Sequence, residues 1–160
     1  GVGIISRVIG ETIQSYAIPD SLEFSLMSKG HLMVYGAADN PYIKKYKTIS
    51  MATLRKLPLI NFKPYDTYPS LMEQAFQNIG TANIKYEVGN IKVFREILAD
   101  TDCLFLAIKK PQYIIDDSIS ELPLRNKIYV EHGVIKRKHA PALCDLFSKY
   151  YQDYYKGLYA

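Results

Sequence analysis

The residues whose types and spacing suit chemistry gather in one loop, Lys63-Pro64-Tyr65-Asp66-Thr67-Tyr68-Pro69-Ser70. It joins a short apolar segment, Pro58 to Phe62, to a helical stripe that begins at Leu71. That junction is the carboxyl-end position at which open α/β sheets bind ligands. A helix start presents free N–H groups and favours an anion. Thr67 and Ser70 bring hydroxyls, and Tyr65 and Tyr68 bring flat walls. Gly89-Asn90 makes a second strand-to-helix junction, so two helix starts can converge on one carboxylate. The simpler alternative is that Thr67 or Ser70 merely caps its helix.

Other chemistries find less support. The sequence has no Gly-rich phosphate loop and no G-x-S-x-G elbow. His31, His132 and His139 lack metal-ligand spacing, and no cofactor is called for. Cys103 heads an apolar run and Cys144 lies beside Leu143, which reads as two inert core thiols. Asp66, Glu87 and His132 could supply acid and base, but their spacing suggests no pairing for catalysis. Lys136-Arg137-Lys138-His139 is the one tight basic cluster and reads as a solvated face, with phosphate contact as the alternative. Tyr150, Tyr151, Tyr154, Tyr155 and Tyr159 crowd the C-terminus as one face of a terminal helix.

The elements that must position these residues follow from periodicity. Val2 to Ser6 reads as a short strand, and Ile9 to Ala17 as a loop or weak helical turn. Residues 21–37 alternate like strand, with a turn expected at Lys29-Gly30. Asp39-Asn40-Pro41, with Asp or Asn as the cap, and Ser50 start short helices. Leu71 to Ile79 carries a helical stripe that Gly80 ends. Ile84 to Val88 is a strand, and residues 91, 93, 94, 97 and 98 mark the apolar face of a helix. Cys103 to Ile108 is a run expected to be buried on both faces. Pro111 to Ile115 is a short helical or irregular piece. Leu122 to Leu124 and Lys127 to Ile135 are strands, and Ala140 to Tyr155 is a helix whose stripe at 143, 146, 147, 150 and 151 is expected to be core. Strands alternating with helices predict an α/β fold with a largely parallel sheet. The segments 31–37 and 127–135 lead into and out of a self-sufficient unit, the two-hinge arrangement of ligand-binding clamshells.

Composition sets the remaining bounds. The chain has 160 residues, the length of about one domain, and a net charge of +4. Its 48% hydrophobic and 22% charged residues are ordinary for a soluble globular protein. No apolar stretch is long enough to span a membrane, and no export signal is visible, so a cytoplasmic setting is the expectation. The chain opens Gly-Val-Gly directly in an apolar run, which reads as a piece of something longer.

Asn40-Pro41-Tyr42-Ile43, Thr48-Ile49-Ser50, Leu54 and Leu57-Pro58-Leu59-Ile60 open an ordered series of segments. Phe76-Gln77-Asn78-Ile79-Gly80, Asn90 to Leu98 and Cys103 to Ile108 continue it, and Ile128-Tyr129-Val130 and Ala140-Pro141 end it. This order resembles that of the effector-binding domain of LysR-type transcriptional regulators. The resemblance spans nearly the whole chain, and order and spacing carry its weight. Asn40 stands where the family has His, and Asp100-Thr101-Asp102 replaces a glycine pair.

The resemblance implies a two-lobed sandwich of the periplasmic-binding-protein-like type 2 α/β fold. Lobe I would comprise residues 1–33 plus 131–160 and be incomplete, and lobe II residues 36–127. It implies a small-molecule effector, typically an organic anion, bound between the lobes, with no covalent chemistry. Asp66, Thr67, Tyr68 and Asn90 match the family's pocket positions on lobe II, with Ser70 at the adjoining helix start. Ser6, Tyr35 and His132 fall near the hinge and the lobe I rim. A homodimer is implied, and a partial lobe I is expected to hide apolar surface by self-association. DNA would be contacted only through a helix-turn-helix preceding this chain. The rival readings are a solute-binding protein of transport, which needs an export signal, and a clamshell enzyme, which needs a paired acid and base.

Overall fold

The computed structural model describes residues 2–9, 18–63, 69–109, 116–139 and 142–159. The loop expected within Ile9 to Ala17 and the piece at Pro111 to Ile115 fall largely or wholly outside these residues. The elements in order are β1 (Val2–Ile9), β2 (Leu22–Ala37), α1 (Pro41–Lys45), α2 (Met51–Leu54), β3 (Leu59–Phe62) and α3 (Leu71–Phe76). They continue with β4 (Ile84–Val88), α4 (Ile91–Asp100), β5 (Phe105–Ile108), β6 (Ile119–Pro123), β7 (Tyr129–Arg137) and α5 (Ala142–Tyr159). The chain divides into two compact units, residues 1–30 with 129–160, and residues 31–128.

In the first unit β1 runs antiparallel to β7, with Ser6 opposite His132 and Arg7 opposite Glu131. Side chains alternate along a strand, so these two pairs project to opposite faces. Arg7 grips Glu131 at 2.9 Å and lies 4.4 Å from the centroid of the Phe24 ring. Gly133 is where β2 comes close: a Cβ there would meet the Phe24 ring at 2.6 Å. Val8, Val130 and Val134 form the buried centre.

In the second unit β3 and β4 are parallel, joined by the crossover helix α3. Leu104, at the entry of β5, bridges in parallel to Leu59. β5 and β6 then pair antiparallel with the second half of β2. The expectation of a largely parallel sheet is therefore corrected to a mixed one. Parallel pairing requires a helical crossover, and only the stretch from β3 to β5 has such crossovers among the described residues. Leu32, Val34, Ile49, Leu54, Leu59, Ile60, Leu104 and Leu122 are fully buried and make the core.

Two further expectations change. No turn forms at Lys29-Gly30, because β2 runs unbroken for 16 residues. Its first half lies beside β7 and its second half beside β5 and β6, so ladder pairing overrides a local turn signal. The expected core stripe of α5 faces outward: Leu143 is 75% exposed and Tyr150 68%. The helix is instead anchored on the edge that carries buried Ser148 and half-buried Cys144, with Tyr151 near His132 at 6.3 Å between ring centroids. Cys103 is buried, as expected of an inert thiol, whereas Cys144 is half-buried.

Helix starts follow their capping residues. Asn40 is 1% exposed and accepts from the backbone N–H groups of Tyr42 and Ile43, with Pro41 at the first helical position. Its Nδ2 donates to the Asp102 carbonyl at 3.0 Å, tying α1 to the entry of β5. Gly80 has φ +128°, a conformation that L side chains rarely adopt, and it lies just past the turn that closes α3.

Two predictions follow from these contacts. Asn40→Ala removes a helix cap and the side-chain donor to the Asp102 carbonyl, so equilibrium denaturation should show a loss of ~1–2 kcal/mol. His31 titrates below its ordinary value of 6.5 because burial, Lys127 and Lys109 disfavour its charged form more than Glu121 supports it. The unfolded chain then takes up this proton at a higher pH than the folded one. Stability from this group is present above pH ~6.5 and falls as the pH drops through the folded value. The melting temperature should fall less between pH 7 and 5.5 in His31→Gln than in the parent, and equal slopes would contradict the assignment.

Candidate functional site

The second unit contains a cavity of about 430 Å³ at the carboxyl end of β3. That volume lies in the range of small-molecule sites, ~300–1,000 Å³. Three elements build it. β3 contributes Ile60, Asn61 and Phe62, the start of α3 contributes Ser70, Leu71 and Met72, and α4 contributes Ile91, Phe94, Arg95 and Leu98. Tyr35 of β2 and Phe105 of β5 close it. The α4 residues fall at i, i+3, i+4 and i+7, which is one helix face.

Four rings form a continuous wall. Tyr35 stacks on Phe105 at 5.4 Å between centroids. Phe105 meets Phe94 edge-on at 4.9 Å, and Phe94 meets Phe62 at 5.5 Å. Such contacts add ~0.5–1.5 kcal/mol each beyond area burial. Ile60, Leu98 and Cys103 pack with Phe94 as a buried cluster.

The polar groups are few. Asn61 is 2% exposed, and its Nδ2 donates to Glu87 at 3.3 Å. Ser70 Oγ accepts from the Glu73 N–H at 3.1 Å, and Glu73 accepts in return from the Ser70 N–H, completing a capping box. Lys63 pairs with Glu73 at 2.9 Å. The α3 start therefore already holds a carboxylate of its own. At α4 the Asn90 Oδ1 accepts from the N–H groups of Lys92 and Val93. The capping alternative raised from the sequence thus describes Ser70, and Asn90 caps α4 as well. The N–H groups these caps engage are satisfied internally.

Of the residues singled out from sequence, Tyr35 and Ser70 line this cavity together. Asn90 is exposed and caps α4 beside Ile91. Asp66, Thr67 and Tyr68, with Tyr65, lie outside the described residues. Ser6 and His132 belong to the first unit, where Ser6 Oγ and His132 Nδ1 are 2.7 Å apart. Sequence reasoning missed Asn61, Arg95 and the aromatic wall. Arg95 had a signal: it stands four residues after Ile91 and three before Leu98, on the face that carries Phe94. An apolar count passes over a charged residue on that face.

No family model matches the sequence, and no curated protein matches it. Solved structures do. The chain is similar to HinK, a LysR family transcriptional regulator from Pseudomonas aeruginosa, at 13% identity and TM-score 0.65, over 95% of this chain and 52% of that one. It is similar to the C-terminal domain of a probable LysR family regulator from a Rhodococcus species at 16% identity and TM-score 0.65, over 93% of this chain and 72% of that one. The effector binding domain of a BenM variant aligns at 17% identity and TM-score 0.62, over 89% of this chain and 70% of that one. The chain spans about half the length of the first of these regulators.

Removing the Ser70 hydroxyl should cost ~1 kcal/mol through the lost cap. Ser70→Ala is expected to lower the denaturation midpoint, and Ser70→Asp, which can still cap, to restore most of it. These neighbours are transcriptional regulators rather than enzymes, and the fold of this chain is the mixed α/β fold of LysR-family effector-binding domains.

Proposed function

We propose that this chain is the effector-binding and dimerisation module of a LysR-type transcriptional regulator, sensing a small organic anion. The observation that carries the reading is the cavity itself. It is large enough for a metabolite, lies at the strand-to-helix end where such sheets take ligands, and occurs on a fold shared with regulators. The module is read as periplasmic-binding-protein-like and cytoplasmic. Residues 1–33 with 131–160 are read as belonging to the first lobe, and 36–127 as the second. The division into units 1–30 with 129–160, and 31–128, supports that reading. No helix among the described residues is long and apolar enough to cross a membrane.

Tyr35 and Ser70 are the proposed contacts for which the cavity gives support. Asp66, Thr67 and Tyr68 precede Ser70 in the chain and Asn90 precedes Ile91, so they stay in the proposed set. Ser6 and His132 stay as proposed contacts of the first unit. One of the similar structures is a full-length LysR regulator, CbnR, complexed with its target DNA. DNA contact in the parent of this chain is assigned to a separate DNA-binding region. Effector binding would act by shifting the population of conformations. The exposed Leu143, Leu146, Phe147 and Tyr150 of α5 support pairing with a second copy.

Two measurements test this. A thermal-shift and calorimetry panel of small organic acids is expected to include at least one that raises the melting temperature saturably. A panel on which nothing binds overturns the sensing role. Light scattering at micromolar concentration should give twice the 18.3 kDa chain mass. The pair Leu146→Glu and Phe147→Glu should return it to monomer, and a parent that is already monomeric overturns the dimer.

A further inference from the structure

Chemistry at the cavity narrows the ligand class, on the reading that this cavity is the effector site. Four aromatic rings, Tyr35, Phe62, Phe94 and Phe105, line it in continuous contact. Its one lining side chain with a formal charge, among the described residues, is Arg95. No carboxylate lines it among those residues: Glu73 is bound to Lys63 and the Ser70 N–H, and Glu87 to Asn61. Arg95 forms no ion pair among the described residues and exerts only a through-space influence on exposed Asp116.

A guanidinium at an apolar pocket suits one carboxylate, held through its paired N–H donors. A second carboxylate on the same ligand would have to lose its hydration against the rings with no second cation to receive it, and that cost is large. Contact with ring faces and edges favours a flat ligand body. The capping box of α3 and the Asn90 cap of α4 reinforce the point. The N–H groups of Glu73, Lys92 and Val93 are already taken, and the Glu73 carboxylate at the α3 start repels an anion there. The anion is therefore directed to Arg95.

We infer that the effector is an aromatic monocarboxylate of one or two rings, its ring on the Tyr35–Phe105–Phe94–Phe62 wall and its carboxylate on Arg95, which makes Arg95 the charge-specificity residue.

The probes are phenylacetate and 2-naphthoate, the amides of both, the aliphatic monocarboxylate hexanoate, and the dicarboxylates succinate and glutarate. Titration calorimetry on the whole chain is expected to show at least one aromatic acid binding tenfold or more tighter than its own amide, hexanoate and both dicarboxylates. Arg95→Gln should erase the acid-over-amide preference while leaving the melting temperature of the free protein unchanged, since Arg95 is exposed. Phe105→Leu should weaken the aromatic acid relative to hexanoate. Tighter binding of hexanoate or a dicarboxylate overturns the aromatic-monoanion assignment but leaves effector sensing standing. A preference for acid over amide that survives in Arg95→Gln overturns the role of Arg95. If none of these probes binds and the broader organic-acid panel is also silent, the sensing role itself falls. If only that broader panel yields a ligand, the aromatic assignment alone falls.

Discussion

Two backbone hydrogen bonds at Leu104 hold the second unit together. Its N–H donates to the Pro58 carbonyl, and its carbonyl accepts from the Ile60 N–H, each at 2.9 Å. Through that single residue the β3–β4 pair is joined to the β5–β2–β6 ladder. Without it there would be two small sheets, each with an open edge. With it Phe105, the next residue, is carried to the same wall as Phe62 and Phe94. The cavity is a consequence of this join: β3 supplies its floor, and the helices that follow β3 and β4 supply its sides. Asn40 reinforces the same corner by holding the Asp102 carbonyl two residues before Leu104.

The helix ends around the cavity are settled locally. Ser70 with Glu73 and Asn90 with its two N–H groups satisfy donors that would otherwise need water or a ligand. This is why the cavity is mostly apolar although two helices begin at it.

Much of the fold was legible because its signals are local. Asn40-Pro41, Ser50, Ser70 and Asn90 mark helix starts by the hydrogen bonds their side chains make to residues two or three further on. Gly80 marks a positive φ. What sequence could not show depends on distant partners. Lys29-Gly30 looks like a turn until strands on both halves of β2 hold it straight. The α5 stripe is a correct reading of which residues are apolar, but periodicity carries no information about which face the unit covers. At the site, Tyr35 and Ser70 could be picked out by position, whereas the aromatic wall joins residues from four strands and helices. Arg95 was hidden because its neighbours on α4 marked that face as apolar.

The division of labour within α4 has a consequence for how such a cavity changes over generations. Phe94 and Leu98 hold the helix in the core, Asn90 fixes its start, and Arg95 is exposed between them, contributing little to packing. On the proposed reading, the sign of charge that the cavity selects is carried by a side chain on which folding makes almost no demand. A regulator that sensed its effector in this way could exchange one class of signal for another by altering that codon alone, with the scaffold untouched.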